Sequence, residues 1–568
     1  MARSFFADGA SPSVHALPGL VLVAGSAVGV STAPAYVWAR QPAAGRRVAL
    51  VSGGGAGHEP MHAGFVGVGG LDAAVPGEVF TSPHNRQVHA ASARVAKPGG
   101  IVHVVKNYTG DRINFAIAAE RLRAEGHRVA EVLVDDDLGS EGQDVGRRGT
   151  GATVVVEKIL GAAADTGADL DDLVDLGRRV AARSRTLAVA HGAQTSPETG
   201  EPAFEVAAGS VEYGVGIHGE TAAATIDRDD LGTLVARMVG DLLAALPDAP
   251  EGYLLLVNGL GGTGNLELAH VATEAARVLD EAGRRVRSAV TGTVVSALDM
   301  RGFSITLTAV EEDWLPHWFA PHDTVALPTP RPVDDAPAAY ADGDGDAREG
   351  APEDREPSVW LAGLAATFDA RRADLNALDQ RAGDGDIGTN VVNGMQAALR
   401  RAPGPDADLA ADLAAVAGAF LDDVGGSSGP LLGLVFAEVA GAAEGTADGD
   451  LPTALAAGLR AGQDAVSRVG GAVPGDRTLL DALAPAVAGD PPRPLDRDSV
   501  VAAIDGARAT AGLVATRGRA SYLGERALGA PDPGAVVVAI ILAAIVGRGL
   551  GTPDAGVGDD LDDLVAGR

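Results

Sequence analysis

The sequence predicts a multidomain protein in which an α/β region of two α/β subdomains is followed by an all-α region. Three observations predict it. The chain has 568 residues, more than one hydrophobic core normally serves. Residues 331–357, RPVDDAPAAYADGDGDAREGAPEDREP, are rich in acids, Pro, Gly and Ala, cannot bury enough surface to offset their ordering entropy, and read as a linker. The texture differs on its two sides, which gives domains at 1–330 and 358–568.

Upstream, short β-branched runs read as strands: RVALVS at 47–52, IVHVV at 101–105, VAEVLV at 129–134 and YLLLVN at 253–258. They alternate with amphipathic stretches such as INFAIAAERLRAEG at 113–126 and LDDLVDLGRRVAARS at 170–184, a pattern that predicts mainly parallel pairing. Gly-rich turns after Ser52 and after Asn258 suggest the two subdomains. Downstream, VWLAGLAATFDARRADLNALDQ, DLAADLAAVAGAFLDDV and TALAAGLRAGQDAVSRV carry apolar spacings of three and four, and predict about six to nine helices. The longest apolar run, AVVVAIILAAIV at 535–546, is shorter than the roughly 20 residues of a membrane helix and reads as a buried core helix.

Lys and Arg number 45 against 76 Asp and Glu, a net charge of -31 that repels phosphate backbones and anionic lipid, so neither nucleic acid nor a membrane is an expected partner. With no cysteine, disulfides and thiolate chemistry are excluded. An Asp and a Pro interrupt the first apolar stretch, so no export signal is read and a cytoplasmic location is expected.

Two downstream segments carry chemistry. In LDQRAGDGDIGTN, 378–390, glycines let Asp379, Asp384 and Asp386 converge, and a hard cation such as Mg²⁺ would stabilise such a cluster. The same segment also reads as an Asp/Gly helix-capping turn. In GGSSGP, 425–430, backbone N–H groups at a helix start offer an anion site, or an ordinary helix connection. Together the two suggest a nucleotide triphosphate site without a Walker motif, with Arg519 as either a further phosphate contact or an ordinary surface charge. Upstream, SGGGAGHEPMH at 52–62, KNYTGD at 106–111 and GVGIHGE at 214–220 place two histidines, a Lys and an Asp on Gly-rich turns. Ligands of parallel sheets lie outside the carboxyl ends of strands, where Gly57, His58, Lys106 and Asp111 are expected. Two segments compete. GLGGTG at 259–264 matches a dinucleotide fingerprint, with Asp280 or Glu281 at a loosely suitable distance. Asp342, Asp344, Asp346 and Glu353 have calcium-loop spacing, but Ala347 stands where Gly is needed, so linker is preferred.

SGGGAGHEPMHAGFVG, PGEVFTSP, KNYTGDRINF, GRRGTGATVVVEKILG and GIHGE resemble the substrate-binding domain of dihydroxyacetone kinases. LNALDQRAGDGDIGTN, GGSSGPLLG, GDRTLLDAL and GRASYLGERALGAPDPGA resemble their nucleotide-binding domain. The resemblance runs in order over nearly the whole chain and implies a single-chain, ATP-using kinase with Mg²⁺, an α/β ketose-binding domain that forms a homodimer, and a helical barrel. It implies that His218 adds to the substrate ketone as a hemiaminal, and that His58 and Asp111 serve the reacting hydroxyl. Gly55, Ala56, Gly57 and Lys106 would complete that pocket. Asp379, Asp384 and Asp386 would hold Mg²⁺. The nucleotide would meet Ile387, Gly388, Thr389 and Asn390, then Ser427 and Ser428. Gly471, Leu480, Arg519, Asp532, Pro533 and Gly534 would line the rest of its pocket.

The sequence departs from the family pattern at Ile387, at Thr221 where Pro is usual, and around Asp137 to Arg147, which is shortened. These departures leave dihydroxyacetone and the four-carbon erythrulose both open. A non-catalytic ketose-binding regulator is the reading from another class, and a nicotinamide dehydrogenase rests on GLGGTG alone.

Overall fold

The computed structural model describes residues 6, 11–143, 146–333, 355–382, 385–447, 449–517, 519–522, 524–550 and 555–567. Asp384, and the linker acids Asp342, Asp344, Asp346 and Glu353, lie outside them. The chain divides into two compact units, residues 1–340 and 341–568.

The first unit holds two six-stranded sheets. The first contains β1 (Val28–Thr32), β2 (Ala35–Ala39), β3 (Ala49–Ala56), β4 (Ala73–Val79), β5 (Ile101–Lys106) and β6 (Val129–Val134), in the order β1-β2-β4-β3-β5-β6. The second contains β7 (Ser184–Gly192), β8 (Ser210–Tyr213), β9 (Ala224–Asp227), β10 (Tyr253–Gly259), β11 (Val286–Gly292) and β12 (Arg301–Ala309), in the order β11-β10-β12-β7-β8-β9. Its helices are α1 (Pro12–Ala24), α2 (Asn85–Val95), α3 (Thr109–Ala124), α4 (Ala152–Asp165), α5 (Leu170–Ala182), α6 (Leu231–Ala244), α7 (Asn265–Glu281) and α8 (Leu315–Trp318).

The expectation of mainly parallel pairing holds only in part. β3 pairs in parallel with β4 and β5, and β5 with β6, whereas in the second sheet only β10 and β11 are parallel. The reason is the connections: α7 supplies a crossover between β10 and β11, while β7, β8 and β9 follow one another through loops that return each strand antiparallel.

Alternation along the buried strands makes the layers. From β3, Ala49 and Val51 face Val88 of α2 and Phe115 of α3, while Leu50 faces the opposite cluster with Val154 and Ile159 of α4. From β10, Leu254 and Leu256 enter that same central cluster, and Leu255 and Val257 meet Met238 of α6 and Val271 of α7. The two α/β subdomains therefore share one central layer, in which α4 is buried from Ala152 to Ala164, as its apolar sequence on every face requires.

The second unit contains nine α-helices among the described residues: α9 (Val359–Ala382), α10 (Ile387–Arg400), α11 (Leu409–Asp422), α12 (Ser428–Ala443), α13 (Leu451–Gly470), α14 (Leu480–Ala486), α15 (Arg497–Ala509), α16 (Pro533–Leu550) and α17 (Gly558–Val565). From α9 to α16 each helix packs on the next, and α16 returns to α9, so the ring closes as a helical barrel around one core. The run 535–546 is buried throughout inside α16, as expected. Among the described residues no helix is long and apolar enough to cross a membrane.

Candidate active site

Two constellations form, one in each unit. In the first, β3 runs through Gly55 and Ala56 into Gly57 and His58. β5 ends on Lys106, whose Nζ lies so close to Gly54 that any Cβ there would collide with it. Asp111 stands in the first turn of α3. His218 comes from the segment after β8, and so from the other sheet. The structure thus brings His58, Lys106, Asp111 and His218 together, as the sequence predicts.

His58 is buried, with Nδ1 2.8 Å from the Ser296 carbonyl oxygen and Nε2 3.0 Å from His218 Nε2. A carbonyl only accepts, which assigns the His58 proton to Nδ1 and a lone pair to its Nε2. The proton between the two rings therefore belongs to His218. On the far side of its ring, His218 Nδ1 is 2.9 Å from Glu220 Oε1, and its backbone N–H donates to Glu220 Oε2 at 2.9 Å. Behind Glu220 lies Arg148, 3.7 Å from Oε2, whose Nε donates to Asp137 at 2.6 Å. Phe80 stacks on His58 with centroids 5.3 Å apart and meets the His218 ring at its edge, also at 5.3 Å, and Tyr108 approaches His218 at 4.8 Å. Phe80 has φ of 55°, a left-handed conformation unusual for a bulky residue and a mark of local strain.

Burial, helped by the charges of Lys106 and His218, holds the His58 imidazole well below its ordinary pKa. Burial also lowers Lys106, against the pull of Asp111, Glu157, Glu59 and Glu220. Burial raises Glu220, but the hydrogen bond and charge of His218, with Arg148, outweigh it and hold the carboxylate at about 2. Burial pushes the Tyr108 phenol well up. Besides Arg148 Nη1 behind Glu220, three polar atoms here are buried without a partner: Asp111 Oδ1, the Tyr108 hydroxyl and Gln194 Oε1. One donor and two acceptors waiting around His218 suit a small polyhydroxylated ligand. Sequence reasoning gave no role to Phe80, Tyr108, Glu220 or Arg148, although all four stand in the quoted motifs. Gln194 carries no such signal.

GLGGTG does form the turn from β10 into α7. Glu267 Oε2 accepts the Gly264 N–H at 2.9 Å, so a carboxylate already stands where a pyrophosphate would sit. Thr263 and Leu266 border a groove of about 330 Å³ floored by Val189, Val211 and Phe303, and none of the expected site residues reaches it.

In the second unit a cavity of about 280 Å³ is lined by Asp379, Asp386, Ile387 and Asn390, by Ser427 and Ser428, and by Asp532, Pro533 and Gly534. Asp379 Oδ2 accepts the backbone N–H groups of Gly385, Asp386 and Ile387 at 3.0, 2.9 and 3.1 Å. The capping reading of this segment is therefore correct for Asp379, which organises the start of α10 while its carboxylate lines the cavity. Among the described residues no group of three or more metal-ligating side chains forms. Asp532 is pushed up to about 7, first by burial and further by Asp481 and Asp379, against the Ala535 N–H and Arg477.

Four expected nucleotide residues do not reach the wall. Gly388 packs on the Arg372 carbonyl of α9, and Thr389 exchanges hydrogen bonds with Asn376 at 2.9 and 3.1 Å. Gly471 caps α13 with φ of 65°, leaving Gly470 and Ala472 at the wall. Leu480 is buried in the core, and Leu479 lines the cavity in its place. Arg519 lies in a 3-10 turn, its side chain outside the described residues, and Arg517 is the arginine at the wall on that side. Arg477, which sequence reasoning passed over inside GDRTLLDAL, also lines the cavity. It is buried, donates from Nη2 to the carbonyls of Ala527 and Ala530 at 2.6 and 2.8 Å, and keeps Nε and Nη1 without partners.

A Dak1 domain model matches residues 18–326 and a DAK2 domain model residues 381–547. Relatives include Triokinase/FMN cyclase of Rattus norvegicus, 37% identical over 88% of this chain and 90% of its own. D-erythrulose kinase of Mycolicibacterium smegmatis is 35% identical over 87% and 90%, and dihydroxyacetone kinase of Citrobacter freundii 35% over 89% and 91%. Among solved structures, the C. freundii dihydroxyacetone kinase in complex with AMP-PNP and Mg²⁺ aligns with a TM-score of 0.61 at 31% identity, covering 96% of this chain and 100% of that one. A dihydroxyacetone kinase operon co-activator aligns at 0.53 with 29% identity, over 56% of this chain and 98% of its own. The chain belongs to the dihydroxyacetone kinase family, with a Dak1 and a DAK2 domain in one polypeptide.

Proposed function

We propose that the chain transfers the γ-phosphoryl group of ATP, with Mg²⁺, to a terminal hydroxyl of a short ketose, dihydroxyacetone first and erythrulose second. The observation that carries this reading is the His58–His218 contact at 3.0 Å beside the unpartnered Asp111 Oδ1 and Tyr108 hydroxyl. His218 Nε2 gives its proton to His58 Nε2 and attacks the ketone carbon. The carbonyl oxygen takes that proton from His58, leaving a hemiaminal hydroxyl and a neutral His58. Anchored there, the ketose offers a terminal hydroxyl to Asp111 Oδ1, which orients the oxygen for attack at phosphorus.

The helical cavity supports the nucleotide half. Ser427 and Ser428 stand at the start of α12, where backbone N–H groups favour phosphate oxygens. Asp379 and Asp481 both push up Asp532, an excess of acid that fits a divalent cation. Asp379 and Asp386, with Asp384 outside the described residues, would hold Mg²⁺, which when bound neutralises charge on the transferring phosphate. A regulator reading leaves this cavity without a use. The homodimer belongs to the proposal too, and analytical ultracentrifugation tests it.

Coupled ADP release with Mg²⁺·ATP tests the reading, comparing dihydroxyacetone, both erythrulose enantiomers and glyceraldehyde. Turnover with a ketose supports the kinase, and the preferred ketose decides between the two substrates. Absence of turnover with all of them moves the regulator reading forward.

A further inference from the structure

Resting on the ketose-kinase reading, we propose that Glu220 and Arg148 are positioning residues for carbonyl capture. Glu220, held by Arg148, fixes the His218 ring with a proton on Nδ1, so that Nε2 is the atom presented to the ketone.

An imidazole can bond to a carbonyl carbon only through a nitrogen with a lone pair, and the partner of the other nitrogen decides which one that is. An ionised carboxylate only accepts, so Glu220 Oε1 at 2.9 Å keeps the proton on Nδ1. Its second oxygen takes the His218 backbone N–H at 2.9 Å, so one carboxylate holds ring and main chain together. The rings of Phe80 and Tyr108 restrict the remaining rotation. The space for this clamp is made by Gly216, where a Cβ would collide with both the Glu220 carboxylate and Arg148.

Arg148 acts one step further back. Its Nε donates to Asp137 at 2.6 Å and its Nη2 to the Gly214 carbonyl at 3.3 Å, which anchors the guanidinium under the loop that carries His218. Nη1 has no hydrogen-bond partner and lies 3.7 Å from Glu220 Oε2, so it neutralises that carboxylate without competing for its hydrogen bonds. During capture the Nε2–carbon bond forms, the carbonyl π pair moves to oxygen, and that oxygen takes the proton relayed by His58. The other proton stays on His218 Nδ1, hydrogen-bonded to the Glu220 carboxylate throughout, so the positive charge left on the ring faces a fixed negative one.

The test uses the full chain and [2-¹³C]dihydroxyacetone, whose labelled carbon changes from carbonyl to tetrahedral on capture. Wild type should show a protein-bound tetrahedral resonance that His218→Ala abolishes. Glu220→Gln keeps shape but removes the charge and should lower the captured fraction by about tenfold or more, the size of effect seen on losing a group that orients a metal-bound histidine. The ketose KM should rise by a similar factor, with kcat changed less than about threefold and the KM for ATP unchanged. A merely structural role would lower kcat through a smaller active fraction and leave KM alone. Arg148→Lys should fall between wild type and Arg148→Met. The double variant Glu220→Gln/Arg148→Lys should be no worse than Glu220→Gln, because Arg148 acts through Glu220. Unchanged capture and unchanged ketose KM in folded Glu220→Gln would overturn the inference and leave the kinase reading standing. Turnover by wild type with no tetrahedral resonance would do the same. Neither turnover nor capture by wild type would overturn both.

Discussion

Replacing Asp532 with Asn should stabilise the helical unit at alkaline pH and change little at acid pH. In the unfolded chain this carboxyl ionises near 3.8, whereas in the folded chain burial, with Asp481 and Asp379 adding, raises it to about 7. Below the lower value both states are protonated and the group is neutral toward folding. Between the two values folding takes up a proton, so stability falls as pH rises, by about 1.4 kcal/mol per pH unit. Above about 7 the full penalty of the charge remains, about 4 kcal/mol as a ceiling and about half that because the carboxyl is only half-buried at the cavity wall. Asn removes the charge and keeps an oxygen for the Ala535 N–H, which Asp532 Oδ2 now accepts at 2.8 Å, so the start of α16 stays capped. For a unit of this size the gain corresponds to about 5–15 °C in midpoint. The assay is differential scanning calorimetry of the full chain in chelator, at about pH 5 and about pH 8. The variant should melt above wild type at the higher pH, with the gap closing at the lower. A gap independent of pH, or of opposite sign, would refute the assignment of a half-buried, crowded carboxyl at this wall.

Asp379→Ala should lower stability by about 2 kcal/mol or more in urea denaturation, because three N–H groups lose one charged acceptor, and Asp379→Asn should lose less. Phe80→Ala should be less stable than Phe80→Gly by about 1 kcal/mol, the reverse of the usual order, because the left-handed backbone at 80 strains any Cβ; chemical denaturation of the pair decides it. Arg477→Met should speed limited proteolysis within 524–530, since the side chain holds the carbonyls of Ala527 and Ala530; cleavage at the wild-type rate would remove Arg477 as the tie.

The strands most legible in the sequence are those buried on both faces. RVALVS, IVHVV and YLLLVN are continuous apolar runs because helices cover each side of β3, β5 and β10. β8 and β9 escape notice because each has four residues and β9 is largely exposed, leaving no periodic signal. Their loops also make the second sheet mostly antiparallel, which strand texture cannot reveal. At the site, His58, Lys106, Asp111 and His218 are legible because chemistry-bearing residues on Gly-rich turns at strand ends are uncommon. Phe80, Gln194 and Arg148 are not, since their meaning depends on neighbours far away in sequence: Gln194 matters through the His218 carbonyl, and Arg148 through Glu220. Asp379 shows a different limit. One carboxylate can cap a helix and line a cavity at once, and spacing alone presents these as rivals.

His58 and His218 stand on segments that follow strands of different sheets, and the layer between those sheets is α4 with its neighbours. On the proposed capture, the spacing of the two Nε2 atoms depends on how these sheets pack, and so in part on aliphatic side chains of that layer such as Val155 and Ile159. Adding or removing one methylene in such a spacer shifts whole sheets by fractions of an ångström, within what a well-packed interior transmits. A substitution screen scored by melting temperature would register such changes as shifts of about a few degrees, while the same screen scored by turnover would reject them. With the two histidines acting as proposed, the machining tolerance of the central layer is set by chemistry and is tighter than the one set by folding.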